Sequence, residues 1–268
     1  MKMVASAKLR VAQNRIESFL PYQQNLMNIM NDFLSSETDY ISPLSAKRDV
    51  NAVAIVVISS NSSLCGAFNS NAIKLFNQTL QEYKHLPKDK IHIYPIGKKV
   101  EDDIIKRGGN IQGSFIDLMD KPNFEEAKNI ADILITNFLE KKIDRVELIY
   151  NHFKSTATQI PTRELFLPIE LHVPKDSNSK GIATDYIVEP DRASILEVLI
   201  PKSLRIKIYA SIIDSAAAEQ AARTVAMQIA TENAEQLLSD LTIQYNKQRQ
   251  QAITNELLDI VGGSEALK

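Results

Sequence analysis

The chain has 268 residues, 44% hydrophobic and 24% charged, which excludes a largely disordered or collagen-like protein. Lys and Arg total 31 against 33 Asp and Glu, so a net charge of −2 supplies no global positive field for nucleic acid or anionic lipid. One cysteine, Cys65, excludes an intramolecular disulfide and a cysteine-rich zinc site, and with no Trp and only 8 Gly the composition leans helical.

Met3 to Ser18 contains neither Gly nor Pro and places Val4, Ala7 and Val11 on one helical face. The start does not read as an export signal, because Lys8 and Arg10 interrupt an apolar stretch shorter than the ~7–15 residues such a signal needs. Pro21 removes one backbone hydrogen bond and is expected to bend a helix that resumes through Leu26, Ile29, Met30, Phe33 and Leu34.

The middle of the chain reads differently. Asn51 to Ile58 is a β-branched run suited to a fully buried strand, and it is too short for a membrane span of ~20 residues. An amphipathic helix from about Asn69 to Tyr83 follows, with Asn69 or Ser70 as its expected cap. A strand at Ile91–Ile96 ends at Gly97, and a short helix at Lys98–Lys106 stops at Gly108-Gly109. Phe124 to Lys141 predicts a further helix, Arg145 to Tyr150 a strand, and Thr162 to Ile169 an edge strand. Strands alternating with helices imply a largely parallel sheet. Lys175 to Lys180 is read as a loop, and Asp191 as the cap of a helix leading toward the C-terminal region.

Residues 202–261 contain neither Gly nor Pro and are rich in good helix formers. As one helix this stretch would extend roughly 90 Å, whereas a compact domain of this length has a radius of gyration of only ~18 Å. Such a helix must protrude, or be held by something else. Met227, Ala230, Ala234, Leu237 and Leu241 alternate steps of three and four, so a partner helix is expected. The register then meets Gln244 and Gln248 before apolar character returns at Ala252, Ile253, Leu257 and Ile260. Gly262-Gly263 is the expected stop. Residues 1–34 are net positive and residues 211–268 net negative, a modest and screened preference for pairing the two ends. An α/β domain therefore interrupts a helical shaft.

Chemistry is harder to find. The loop Ser59–Asn69 lies where doubly wound folds bind phosphate, yet Gly66 is its only glycine and neither a Gly-x-Gly-x-x-Gly nor a Gly-Lys-Ser/Thr motif is present. His85, His92, His152 and His172 are scattered, so none is marked as a base for Cys65 and none forms a ligand pair. Asp102-Asp103 and Glu125-Glu126 sit in polar helical stretches and read as solvated faces. No residue set proposes a reaction or a cofactor.

Over essentially its full length the sequence resembles the gamma-subunit family of F-type ATP synthases. Met1-Lys2-Met3-Val4-Ala5 with Lys8 and Ala12-Gln13 is similar to that family's N-terminal helix signature. Glu219-Gln220-Ala221-Ala222-Arg223, Val225-Ala226-Met227, Ala230 to Ala234 and Tyr245 to Gln250, with Ile253-Thr254 and Glu256, resemble its longer C-terminal signature. Leu64-Cys65-Gly66 with Phe68-Asn69 resembles its first strand-to-helix loop, and Tyr186 with Glu189-Pro190-Asp191 its base-region motif.

The resemblance implies an α/β fold: a long antiparallel two-helix coiled coil from the terminal segments, with an inserted Rossmann-like domain of mostly parallel sheet and flanking helices. The corresponding segments are 1–48, 49–190 and 191–268. It further implies a rotating central stalk without bond chemistry or cofactor of its own, peripheral to the cytoplasmic face of a bacterial inner membrane. Its partners would be alpha and beta subunits, three of each, the epsilon subunit and the membrane c-ring, with no nucleic acid and no direct membrane insertion. Carried over residue by residue, Arg249, Gln250, Thr254 and Glu256 become beta-subunit contacts, with Arg223 and Met1 lower on the shaft, and Tyr186 and Glu189 face the c-ring. Family members begin about twenty residues before the position of Met1, which here has no Ser, Thr, Asp or Asn ahead of it as a cap, so a truncated start is expected. Asn61-Ser62-Ser63 replaces a more charged, Gly-containing triplet, and Val188 stands where an aromatic is common.

Two rivals make other demands. An α/β nucleotide-binding enzyme with a helical oligomerisation arm requires nucleotide affinity at Ser60–Asn69. A non-rotary coiled-coil scaffold requires a stable homodimer.

Overall fold

Val53–Ile58 form strand β1, and every one of these residues is buried. Their side chains alternate between two cores, as a strand with both faces covered requires: Val53, Ile55 and Val57 join one cluster, and Ala54, Val56 and Ile58 the other. The computed structural model describes residues 1–36, 42–169, 188–189 and 191–265. Around β1 stand α1 (Lys2–Ser36), α2 (Phe68–Glu82), β2 (Ile91–Ile96), α3 (Lys98–Lys106), α4 (Asp117–Asp120), α5 (Phe124–Leu139), β3 (Arg145–Phe153), β4 (Gln159–Leu167) and α6 (Arg192–Glu265). The sheet order is β2-β1-β3-β4. β1 is parallel to both β2 and β3, with Val53 opposite Ile91 on one side and Arg145 on the other, and β4 returns antiparallel to β3.

One core contains Phe76 from α2 and Val100 and Ile104 from α3, and the other Ile130, Leu134 and Phe138 from α5 with Leu196, Ile200, Leu204, Ile208 and Ile212 from α6. Met30 and Phe33 of α1 join the second core, so the two terminal segments meet on the same face of the sheet. Further along, Phe19 packs edge-on to Tyr209 with ring centroids 5.2 Å apart, and Lys202 sits 5.9 Å from the centre of the Tyr22 ring. Residue numbers rise along α1 as their partners' fall along α6, so these stretches run antiparallel.

The chain divides into two compact units, Met1–Val225 and Ala226–Lys268. In the second, each of residues 228–264 is exposed.

Three local expectations differ from the structure. Helix α6 begins at Arg192 and runs through Pro201, where a boundary between two helices was expected. A mid-helix proline costs ~3 kcal/mol or more, but Leu196, Ile200 and Leu204 are buried on both sides of it and hold the helical path. Gly262 and Gly263 do not end the helix, which continues to Glu265; glycine permits a left-handed turn without requiring one. Neither Asn69 nor Ser70 caps α2, which starts at Phe68 after Ala67 with no side-chain cap. By contrast Asp191 caps α6 as expected, accepting from the Ser194 backbone N–H at 2.7 Å and the Ser194 hydroxyl at 2.9 Å.

Candidate functional site

In an open parallel sheet a ligand crevice lies beyond the carboxyl ends of the strands, where the chain turns to opposite sides. Here that point lies between β1 and β3, and the loop Ser59–Ala67 fills it. The Ser60 N–H donates to Asn69 Oδ1 at 3.0 Å, and Asn69 Nδ2 donates to Ser60 Oγ at 2.8 Å. This explains why Asn69 is no cap: its amide pins the loop. At the start of α3, the Lys98, Lys99 and Val100 N–H groups donate to Asn61 Oδ1, the Ser60 carbonyl and Ser59 Oγ. A helix N-terminus binds an anion with free N–H groups, and these are already committed. Cys65 is buried, 3.1 Å from Asn69 Nδ2.

The rest of the crevice is closed by α6. Cys65, Phe68 and Phe153 pack against Ala218 and Ala222. Ala217 and Ala221 are also completely buried, and small side chains let the helix backbone come close to the loop. Next to these alanines, Arg223 donates to the Ser63 carbonyl and, at 2.9 Å, to Ser62 Oγ, and it pairs with Glu219 one turn earlier. Burial pushes the Glu219 carboxyl up, against the pull of Arg223. The loop contact is not legible in the sequence, because Arg223 lies 160 residues from Ser63, whereas the Glu219 pair sits at helical i, i+4 spacing.

A second set of polar ties fixes α6 lower down. Asp214 accepts from the Phe153 backbone N–H at 2.9 Å and contacts His152 Nδ1 at 2.7 Å. Burial raises its carboxyl above the ordinary aspartate range despite those partners. Lys207 pairs with Glu164 at 3.0 Å, and Tyr150 donates to the same carboxylate at 2.8 Å. These groups border a cavity of about 870 Å³ that is also lined by Phe19, Leu20 and Met27. Within that lining Lys207 pairs with Glu164 and His152 with Asp214.

The other residues singled out in the sequence fall elsewhere. Arg249, Gln250, Thr254 and Glu256 are exposed on α6, with Thr254 donating to the Gln250 carbonyl one turn back. Met1 is 84% exposed. Glu189 is exposed, and Tyr186 lies outside the described residues. Asp103 is bonded to Arg107 and Glu125 to Lys128. Among the described residues no group of three or more His, Cys, Asp or Glu side chains is placed to hold a metal ion, and no helix is long and apolar enough to cross a membrane.

The fold is thus an open, largely parallel α/β sheet whose strand-end crevice is filled by the chain's own loop and long helix. The family model described as ATP synthase matches residues 1–267. The ATP synthase gamma chain of Bacteroides fragilis is 56% identical over 267 residues, covering 99% of this chain and 92% of that one. That of Phocaeicola vulgatus is 53% identical over 266 residues with the same coverages. The chain belongs to the ATP synthase gamma chain family. Among solved structures, its fold resembles a chain of the Euglena gracilis mitochondrial ATP synthase, OSCP/F1/c-ring, with a TM-score of 0.61 and 22% identity over 98% of this chain and 95% of that one. It also resembles a chain of the Tetrahymena thermophila mitochondrial ATP synthase central stalk/c-ring, with a TM-score of 0.56 and 21% identity over 85% and 99%.

Proposed function

We propose that this chain is the rotating central stalk of an ATP synthase, carrying torque between a membrane c-ring and the alpha and beta subunits. The observation that carries this reading is α6. Residues 228–264 are all exposed, and among them Ile229, Leu237, Leu241, Ile243, Leu257 and Ile260 each exceed half exposure. An apolar surface of that extent on a single helix needs neighbouring chains to cover it. Its unevenness has a use: a shaft with a different chemical surface at each angle presents each surrounding beta subunit with a different face.

In this reading Arg249, Gln250, Thr254 and Glu256 touch the beta subunit, with Met1 lower down, while Arg223, expected from the resemblance as a further contact, has its guanidinium committed to Ser62, Ser63 and Glu219 of its own chain. Glu189 and Tyr186 face the c-ring, and epsilon joins the α/β domain. The chain itself makes and breaks no bonds; the beta subunits carry the chemistry. The complex lies on the cytoplasmic face of a bacterial inner membrane, and this subunit is peripheral to it. The filled crevice disfavours the rival nucleotide-binding enzyme, since its backbone donors serve the protein's own carbonyls and side chains.

Affinity purification of the tagged chain from native membranes, followed by a subunit inventory, tests the proposal. Recovery of alpha, beta, epsilon and c subunits is expected. A homodimer without them would favour the scaffold.

A further inference from the structure

Apolar contacts resist separation of two surfaces but are non-directional, so they resist sliding and rotation poorly. This matters for α6 at the crevice, where the side chains that pack on Cys65, Phe68 and Phe153 are those of Ala218 and Ala222. Methyl groups offer no long knobs to key the helix against its seat. Directional contacts must set the angle there, and at the upper end of this seat they come from Arg223.

The loop that receives Arg223 is itself anchored from other directions. Asn61 donates to the Ile116 carbonyl at 2.9 Å and to Asp120 at 2.8 Å, while its carbonyl oxygen accepts from the Lys98 N–H at 3.0 Å. Ser60 is tied to Asn69, and the Ser60 hydroxyl donates to the Ser62 carbonyl at 2.6 Å. Leu64, next to the carbonyl that Arg223 grips, has φ = 69°, a left-handed conformation that a branched side chain adopts only when its surroundings impose it. The loop is thus braced to α2, α3 and α4, and Arg223 connects α6 to that brace. Planar guanidinium with two bonds to neighbouring residues fixes orientation as well as distance.

We infer that Arg223 is a positioning residue: its grip on Ser62 and Ser63 locks the rotation of α6 about its own axis in the crevice, so that twist passes between the α/β domain and the helix without slippage. This rests on the rotor reading above and adds the point at which torque crosses. Lower ties at Asp214 and Lys207 hold the helix against β3 and β4, but the alanine face lies beyond them.

The test uses the assembled complex with the alpha and beta subunits, stalled by a non-hydrolysable nucleotide, with a bead attached through a cysteine introduced at Lys106. Angular fluctuation of the bead reports torsional stiffness. Because Arg223→Ala alone strands the buried Glu219 carboxylate, the working variant is Arg223→Ala with Glu219→Gln, beside Ser62→Ala and Arg223→Lys. The variance is expected to rise several-fold in the first and less in the other two. In Ser63→Cys with Arg223→Cys and Glu219→Gln, a short bismaleimide tether added after the bead is attached should return it to the wild-type value. A contact between Arg223 and a beta subunit would not be restored by a tether within this chain. Equal variance in wild type and the working variant, or a tether without effect, overturns the inference. Failure of the wild-type complex to rotate under ATP would instead overturn the rotor reading.

Discussion

Arg163 on β4 holds both carboxylate oxygens of Glu147 on β3, from Nε at 2.6 Å and from Nη2 at 2.9 Å. Glu147 is only 1% exposed, and it is also gripped by Arg145 at 2.9 Å and by the Tyr83 hydroxyl from the end of α2. Arg163 reaches on to Glu82, so the cluster ties α2 to the hairpin. Removing one partner of a buried charge costs about 3–5 kcal/mol, and the remaining Arg145 places Arg163→Ala near the lower end, at about 3 kcal/mol. Urea unfolding read by pulse proteolysis checks this. A loss smaller than an ordinary surface substitution would mean that Arg145 alone suffices.

The same cluster gives stability a direction with pH. Burial pushes the Glu147 carboxyl up, but the Arg163 and Tyr83 hydrogen bonds and the charges of Arg163 and Arg145 more than offset it, leaving it below the ordinary 4.5. A lowered carboxyl stabilises the fold above that ordinary value, and the contribution is lost as pH falls through the lowered one. Glu147→Gln should therefore flatten the acid limb of the stability curve. Asp214 has the opposite sign. Its raised carboxyl contributes at low pH and loses that contribution as pH rises through the raised value. The wild type should lose ground to Asp214→Asn across that second window. Parallel curves for either variant would contradict the assignment.

Gly97 should not tolerate alanine. Its φ is +98°, and a Cβ there would lie 2.1 Å from the Ser59 carbonyl oxygen, a backbone atom that cannot swing away. The conformation alone costs roughly 1–3 kcal/mol for a residue with a side chain, and the clash adds to it by parting β2 from the crevice loop. Thermal unfolding of Gly97→Ala, with Gly108→Ala as a reference, measures the difference. Gly108 also has positive φ, at +65°, but has open space around it, so its alanine variant should be the milder.

Arg249→Ala with Gln250→Ala should leave the fold intact, because both side chains are exposed. The expected loss is in coupling: ATP synthesis in membrane vesicles should fall several-fold while thermal unfolding of the chain is unchanged. Unaltered synthesis would count against these residues as beta-subunit contacts.

Much of the α/β domain is legible because strong local signals agree there. The β-branched run at Val53–Ile58, the strand at Ile91–Ile96 before Gly97, and the Asp191 cap each combine pattern with turn or cap chemistry. Expectation fails where tertiary packing overrides such signals. Pro201 remains helical because buried leucines and isoleucines flank it, and Asn69 serves the crevice instead of its helix. The four-residue α4 carries no periodicity long enough to read. Glu147 and Asp214 look like solvated carboxylates in the sequence, since all their partners but Arg145 lie far away along the chain. The position of the Arg223 grip depends on a loop that no helical period predicts.

The central claim is that this chain turns as a shaft inside a ring of neighbours. It is tested most directly by fixing the reconstituted complex through its beta subunits and watching a bead on the α/β domain under ATP, with attachment at Lys106→Cys and the buried Cys65 left in place. Sustained rotation in one direction, stopping when nucleotide is removed, is the predicted result. A bead that stays still while the same complexes hydrolyse ATP would contradict the account.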